Sequence, residues 1–533
     1  MIGIMALLRW LATMALLIAV LQPANAAEVS LRMRGGTFEV RGDLKSYNLR
    51  TYVIVEPSLG TLTLDAARYE CIGPNCPTAV VEPQTPLKLP FEQVTSTWVG
   101  GTAIGTELMP RVIQAYAKTI GASVTSKVGA DVRNLEFTLT ATDGRKIGQV
   151  NIHRQGITPG FLAMAKGEAD VVWTSRPILP EEEQMMEAAG TRNMRSPGNE
   201  HVFGLDALVI LVAKENPAVS LSVDSIAKIF SGQIKDWAEL GLPQGKINVY
   251  AAAAEMGTMG SFEMMVLAPR NLKLTPDAVR LSHATEWSDK VAADPLGISF
   301  ATLAYVRRAR ALNVEATCGI VVPPSVFATK TEEYPLTRRL YFYSAGRPKN
   351  PLAAALLDFA NSSQMQPVMR DARFVDQDPE FLSFRDQRGR IATALNAPGE
   401  DYDAVLMAQM IEETVRAQRS SLTFRFVRGS AQLDSIASEN LSRLVQLLQS
   451  DKSLAGKTLM LLGFSDAVGR FDSNLNTARR RTTLVKNALL RALPQLPQSM
   501  TILKRAYGEL APVACNDTKV GRALNRRVEV WIR

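Results

Sequence analysis

Histidine and cysteine are scarce in this 533-residue chain, at three and four residues, which leaves little for a metal cluster of ordinary ligand spacing. His-Glu-x-x-His, Gly-x-Ser-x-Gly and the Gly-x-x-x-x-Gly-Lys loop are absent as well. The sequence therefore carries no metalloprotease, serine-hydrolase or P-loop signature, and it reads as a non-enzyme without a cofactor. His153, His201 and His283 are scattered and read as packing or surface residues. A mean hydropathy of +0.00 excludes a multi-span helical membrane protein. Hydrophobic residues at 46% and charged residues at 21% exclude a disordered or collagen-like chain. At roughly 150 residues per domain the length points to three or four domains.

What is present is unevenly placed. The chain's net charge is +8, yet Arg416–Arg533 holds 20 Lys/Arg against 8 Asp/Glu, a net of +12, which leaves −4 for the rest. A basic C-terminal domain calls for an anionic partner. The other end argues against nucleic acid. Arg9, the apolar run Trp10–Leu21 and Ala24-Asn25-Ala26 have the layout of a cleaved export signal over residues 1–26. The run is too short to span a bilayer, and no cysteine precedes Cys71 for lipoprotein acylation. The expected destination is the bacterial periplasm.

Cys71 and Cys76 flank Ile-Gly-Pro-Asn, a turn sequence. In an oxidising compartment the pair reads as a disulfide rather than a metal pair. Cys318 and Cys515 fall in different expected domains, and nothing in the sequence pairs them. Residues 27–76 read as a small β module with strands at Thr37–Val40, Tyr47–Glu56 and Gly60–Asp65, broken by Arg41-Gly42-Asp43 and by Pro57–Gly60. A proline-punctuated linker follows at 77–91. Residues 92–385 alternate strands with amphipathic helices, such as the face Leu108, Val112, Tyr116, over a length that suits two lobes. Residues 386–418 read as a connecting helix. The last domain, 419–533, opens with strand Leu422–Val427 and a helix carrying Ala437, Leu441, Leu444 and Leu448 on one face.

Four glycine-containing or polar strand ends stand out in 92–385: Trp98–Thr106, Gln155–Phe161, Val171–Ile178 and Ile229–Trp237. A strand end running into a helix N-terminus presents free N–H groups that suit an anion, although such a junction also serves packing alone. In order and spacing these segments resemble the periplasmic phosphate-binding proteins of ABC importers. The resemblance extends to Asp294–Phe300 and Tyr334–Tyr343 and covers most of 94–385. It implies two α/β lobes closing on a phosphate-type anion, with an ABC permease as a partner. Carried over residue by residue, the implied anion contacts are Thr102 and Ala103, Thr158 (or Ile157), Ser175 and Arg176, and Gly257 with Thr258. The family's arginine and serine are replaced here by Ala252 and Met256. A buried anion without that cation loses a charge-assisted contact of about 1.5–3 kcal/mol. Arg176 is the candidate replacement.

In the last domain, Gly463-Phe-Ser-Asp466 ends an apolar strand, and Asn474 and Arg481 lie on the next helix, where Arg481 shares a face with Val485 and Ala488. On spacing alone a snorkelling Arg481, or an Asp466–Arg481 salt bridge, accounts for this better than a ligand does. The run Asn516-Asp-Thr-Lys-Val-Gly-Arg-Ala-Leu-Asn-Arg-Arg-Val-Glu529 resembles the OmpA-like peptidoglycan-binding domain over its whole length. That resemblance implies that Asp466 takes the ammonium and Arg481 the carboxylate of diaminopimelate in the cell-wall stem peptide, with Asn474 beside them. The family's His-Thr is Phe464-Ser465 here, and its Leu-Ser is Thr477-Ala478.

The expected architecture is a multidomain α/β chain: a two-lobed periplasmic-binding-protein fold, an α+β OmpA-like domain and a small N-terminal β module. The expected function is a periplasmic phosphate-type anion-binding protein held non-covalently on peptidoglycan at the cell wall and outer membrane. The alternative is a wall-anchored sensor or scaffold whose lobes no longer bind phosphate.

Overall fold

The computed structural model describes residues 28–33, 39–47, 51–58, 60–65, 69–73, 75–76, 93–254, 256–396, 402–427, 430, 432–497 and 499–533. The expected export signal and the segment 77–91 lie outside these residues. The chain divides into two compact units, Met1–Lys88 and Leu89–Arg533.

The first unit is an antiparallel sheet of β1 (Glu28–Met33), β2 (Glu39–Tyr47), β3 (Thr51–Glu56), β4 (Gly60–Asp65) and β5 (Tyr69–Ile72), in the order β4-β3-β2-β1-β5. Val29, Leu31, Val40, Tyr52 and Ile54 form its core. The expected break at Arg41–Asp43 is not one, because β2 runs through it. A Cβ on Gly42 would lie 2.6 Å from the Val55 carbonyl oxygen, so this glycine admits a neighbouring backbone rather than making a turn. The run Tyr47–Glu56, expected as one strand, is the end of β2 and all of β3. Cys71 and Cys76 form the expected disulfide.

In the second unit, one lobe supplies β6 (Val94–Gly100), β7 (Ser123–Val128), β8 (Asn134–Thr140), β9 (Lys146–His153) and β10 (Val171–Thr174). The long β11 (Glu200–Val212) crosses to the other lobe. That lobe adds β12 (Ser220–Ser222), β13 (Asn248–Ala252), β14 (Val279–Leu281), β15 (Gly297–Thr302), β16 (Arg310–Ala311), β17 (Asn313–Glu315) and β18 (Val321–Val322). Finally β19 (Thr337–Tyr343) returns to the first lobe. Among the described residues the main sheet runs β14-β13-β15-β11-β19-β10-β6-β9-β8-β7. β11 pairs with β19 over Glu200–Ala207 and with β15 over Leu208–Val212, so one strand serves both lobes. Both faces of the sheet are covered. Leu340 and Phe342 of β19 enter one core cluster while Tyr341 and Tyr343 enter another, which is why these strands read as continuous apolar runs. Leu108, Val112 and Tyr116 are buried along the helix Met109–Thr119 and its N-cap, as their spacing predicts.

The C-terminal sheet contains β20 (Phe381–Ser383), β21 (Gln418–Arg425), β22 (Thr458–Gly463), β23 (Thr501–Ala506) and β24 (Arg527–Ile532), in the order β20-β21-β24-β22-β23. Alternation sends Leu459 and Leu461 toward the helices Ser435–Ser450 and Phe471–Ala492, with Ala437, Leu444 and Leu448 facing them. Met460 and Leu462 point the other way, onto Met407 and Met410 of the helix Ala404–Thr414 and Ile391 of Arg388–Asn396. The segment read as a connector thus supplies the second layer of this sheet.

The lobes and the C-terminal domain are fastened to each other. Cys318, between β17 and β18, is disulfide-bonded to Cys515, a pairing that a separation of 197 residues hid from the sequence. Ser435 donates to Glu200 at 2.5 Å, and the Val202 N–H donates to Glu439 at 3.0 Å. Arg425 pairs with Glu332 at 2.5 Å, and the buried Arg419 pairs with Glu333. Burial works to raise the Glu332 carboxyl, but the Arg339 and Arg425 guanidiniums outweigh it and hold it down to about 2, from 4.5. Glu333 is lowered in the same way by Arg419. A carboxylate depressed in the folded state contributes stability above its unfolded pKa and loses that contribution as pH falls. The thermal midpoint is accordingly expected to drop between pH 4.5 and about 2. A Glu332→Gln variant should start lower at pH 7 and show a shallower fall, and parallel curves would contradict the assignment.

Candidate functional site

Between the lobes lies a cleft of about 250 Å³ lined by Gly101, Thr102, Ile157, Ser175, Arg176 and Gly257, together with Ser261, Met264 and Arg338. Its first loop is held from behind. Trp173 Nε1 donates to the Gly101 carbonyl at 2.8 Å, and the Gly156 N–H donates to the Gly100 carbonyl at 3.0 Å. Ala103 lies on the short helix Thr102–Glu107 that follows. Of the expected contacts, Thr102, Ser175, Arg176 and Gly257 line the cleft, whereas Thr158 and Thr258 are not among its lining residues. Thr158 instead donates to Glu182 at 2.7 Å, and Ile157 occupies its expected place. Ala252 ends β13 fully buried, its carbonyl accepting from Arg280 at 2.7 Å.

Sequence reading missed the carboxylates behind the cleft. Arg176 clasps the buried Glu182 through both terminal nitrogens, at 2.8 and 2.7 Å. Burial tends to raise the Glu182 carboxyl, but Arg176, the Leu179 N–H and Thr158 outweigh it and hold it below its ordinary value. Arg338 from β19 is the second cation, donating to the buried Asp206 at 2.5 and 3.1 Å. The strand alternation of β19 was the available signal, since an arginine turned inward from a buried strand needs a carboxylate. Each cleft guanidinium thus carries its own counter-charge, and the cleft offers oriented donors rather than net positive charge.

The second constellation sits at the end of β22. Gly463 lets the helix Phe471–Ala492 approach, because a Cβ there would lie 2.6 Å from the Ala478 carbonyl oxygen. This seats Asp466, Asn474 and Arg481 around one end of the domain. Asp466 is bound by Arg526 at 2.6 Å, a partner that spacing did not indicate. Asn474 donates to Glu509 at 2.7 Å. Arg481 lies over the Phe426 ring, 5.6 Å from its centroid, and its Nη1 is buried without a hydrogen-bond partner. Burial first, and then the nearby Arg526 and Arg480, pull this guanidinium below its ordinary pKa, with only Asp466 opposing. Ser465 Oγ is a second buried atom lacking a partner.

The long tail run is explained by what it holds. Asn525 Oδ1 accepts from the Val513 and Ala514 N–H groups at 2.9 and 3.1 Å, and its Nδ2 donates to Asn516 Oδ1 at 3.0 Å. Asn516 in turn accepts from the Ala467 N–H at 3.2 Å, bracing the loop that carries Asp466. Where the expected histidine would stand, Phe464 is buried under Arg527, 4.0 Å from guanidinium to ring centroid.

Comparison with known proteins agrees with this division. Residues 112–364 match the PBP superfamily domain, and residues 425–526 match the OmpA family. The phosphate-binding protein PstS of Borreliella burgdorferi is 21% identical over 236 residues, covering 43% of this chain and 79% of that protein. The PstS of Pseudomonas aeruginosa PAO1 is 24% identical over 295 residues, covering 50% and 88%. The crystal structure of PstS from Borrelia burgdorferi superposes with a TM-score of 0.41 at 19% identity, covering 54% of this chain and 99% of that one. The chain carries a PBP superfamily domain followed by an OmpA family domain.

Proposed function

We propose that this is an envelope protein of the periplasm that captures a phosphate-class anion between its lobes while its C-terminal domain holds it on peptidoglycan. The observation that carries the wall half is Arg481: a half-buried cation with a buried, unpartnered Nη1 near an ion-paired Asp466. Such a guanidinium suits a carboxylate, and Asp466, by exchanging Arg526 for an ammonium, suits the other end of an amino-acid zwitterion such as diaminopimelate. The relatives named phosphate-binding proteins support the cleft half, as does the ring of Thr102, Ser175, Arg176 and Arg338.

A second reading, a wall-anchored scaffold or sensor whose lobes take no phosphate, is favoured by one feature. Both cleft arginines are already neutralised, by Glu182 and Asp206.

Thermal unfolding of the whole chain separates the two readings. The lobes should not be tested alone, because excising them strips Arg419 and Arg425 from Glu333 and Glu332. Diaminopimelate and phosphate, each at about 100 times its Kd, should each add about 2.7 kcal/mol, independently of one another. A shift with diaminopimelate but none with phosphate would support the scaffold. No shift with diaminopimelate would remove the wall assignment.

A further inference from the structure

The cleft does not end at the lobes. Ser175, Arg176, Met264 and Arg338 line it and also line a second cavity of about 390 Å³. The far wall of that chamber belongs to the C-terminal domain, through Phe426 and through Val520, Ala523 and Leu524 of the helix Lys519–Asn525. The two spaces differ in chemistry. The cleft presents hydroxyls and paired guanidiniums, whereas the chamber adds Met265, the apolar side chains of the C-terminal wall and the ion-paired Glu332, Arg339, Arg425 and Asp434.

Two chamber-lining residues each leave an atom without a partner. Arg425, 5% exposed, spends Nη1 on Glu332 and Nη2 on the Thr331 carbonyl, while its buried Nε has none. Thr337 Oγ1 is likewise buried and unpartnered. Both atoms are closed off from solvent and face protein, so a ligand in the chamber meets these residues through their other atoms. An inorganic oxyanion in the cleft would leave the apolar wall of the C-terminal domain uncovered. Together, cleft and chamber have the size of sites that hold organic ligands, about 300–1,000 Å³.

The geometry points to a ligand that is a tetrahedral phosphorus oxyanion bearing an organic substituent, with its head in the cleft and its substituent in the chamber against the C-terminal domain. The substituent is apolar toward Met265 and Leu524. Phosphate monoesters and phosphonates share this chemistry. The ligand then touches both domains, and Phe426, which lines the chamber, is the ring over which Arg481 lies. This inference rests on the reading of the cleft as an oxyanion site.

The test is calorimetric titration of the full chain with inorganic phosphate, phenyl phosphate and phenylphosphonate. Both aryl compounds are expected to bind at least about tenfold tighter than inorganic phosphate. Ala523→Trp, which fills the chamber from the C-terminal side, should remove that advantage while leaving inorganic phosphate binding and sacculus binding in place. Met265→Phe fills it from the lobe side and serves if the first variant fails to dock. A preference for one aryl compound over the other distinguishes ester from phosphonate ligands within the proposal. If inorganic phosphate binds as tightly as both aryl compounds, or if filling the chamber leaves their advantage intact, this inference falls and the cleft reading stands. If none of the three binds, the cleft reading falls and takes the inference with it.

Discussion

Arg481→Leu should abolish co-sedimentation with purified sacculi while leaving the thermal midpoint unchanged or slightly higher. The two halves of this result have one cause. In the free protein Arg481 is a half-buried cation whose Nη1 has no partner and which Arg526 and Arg480 repel, with Asp466 opposing them. Removing such a group relieves a penalty, and leucine retains packing over Phe426. Binding has the opposite dependence, because a buried charge-assisted contact to a ligand carboxylate contributes about 2–5 kcal/mol, roughly 30-fold or more in affinity. A structural arginine would behave the other way round, losing stability and keeping the wall. Unchanged sedimentation of Arg481→Leu, checked at two salt concentrations, would remove Arg481 from the site.

Glu529→Gln should produce a large loss of stability, exceeding that of Glu332→Gln. The fully buried Glu529 accepts from Arg527 and Arg390 at 2.7 Å each and from Trp531 at 3.0 Å, with Arg419 Nε at 3.2 Å. Burial pushes this carboxyl up, but Arg390, Arg419 and Arg527 overcome that and hold it far below its ordinary value. The amide preserves the shape and removes the charge, leaving the buried Arg419 and Arg527 and the half-buried Arg390 with Glu333 as the remaining nearby carboxylate. Breaking a buried ion pair on one side costs about 3–5 kcal/mol. Because Arg419 also pairs with Glu333, the damage should spread into the contact between the domains. Equilibrium unfolding in urea, followed by tryptophan fluorescence, reads the effect. A midpoint within error of the parent protein would mean that the cluster is not coupled to folding.

Much of the architecture is legible in the sequence, for local reasons. Alternation exposes most of β21, an apolar run exposes β22, and the 3.6 period exposes the helix faces at Leu108–Tyr116 and Ala437–Leu448, whereas β20, β23 and β24 are not marked in this way. The long tail motif is legible because its residues satisfy one another: Asn525 and Asn516 brace the Asp466 loop, Arg526 pairs with Asp466, and Arg527 with Glu529. What is not legible depends on partners far apart in sequence. Nothing near Cys318 indicates Cys515, and nothing near Glu332 indicates Arg425. In the cleft, strand-end positions such as Ser175 and Arg176 are readable from their junctions. The ion pairing of Arg176 is not, because its partner Glu182 looks like an ordinary first-turn acid on the helix Pro180–Ala188. Gly42 shows the converse error, where a residue type that usually marks a turn answers to a neighbouring strand.

The central claim is that one chain brings a small oxyanion to the cell wall, and it is tested most directly by sedimenting purified sacculi with the full-length protein and radiolabelled inorganic phosphate. Phosphate should appear in the pellet in proportion to bound protein and be lost together with the protein in Arg481→Leu. Excess unlabelled phenyl phosphate should displace it while the protein stays in the pellet. Protein in the pellet without phosphate, at any phosphate concentration, would contradict the claim.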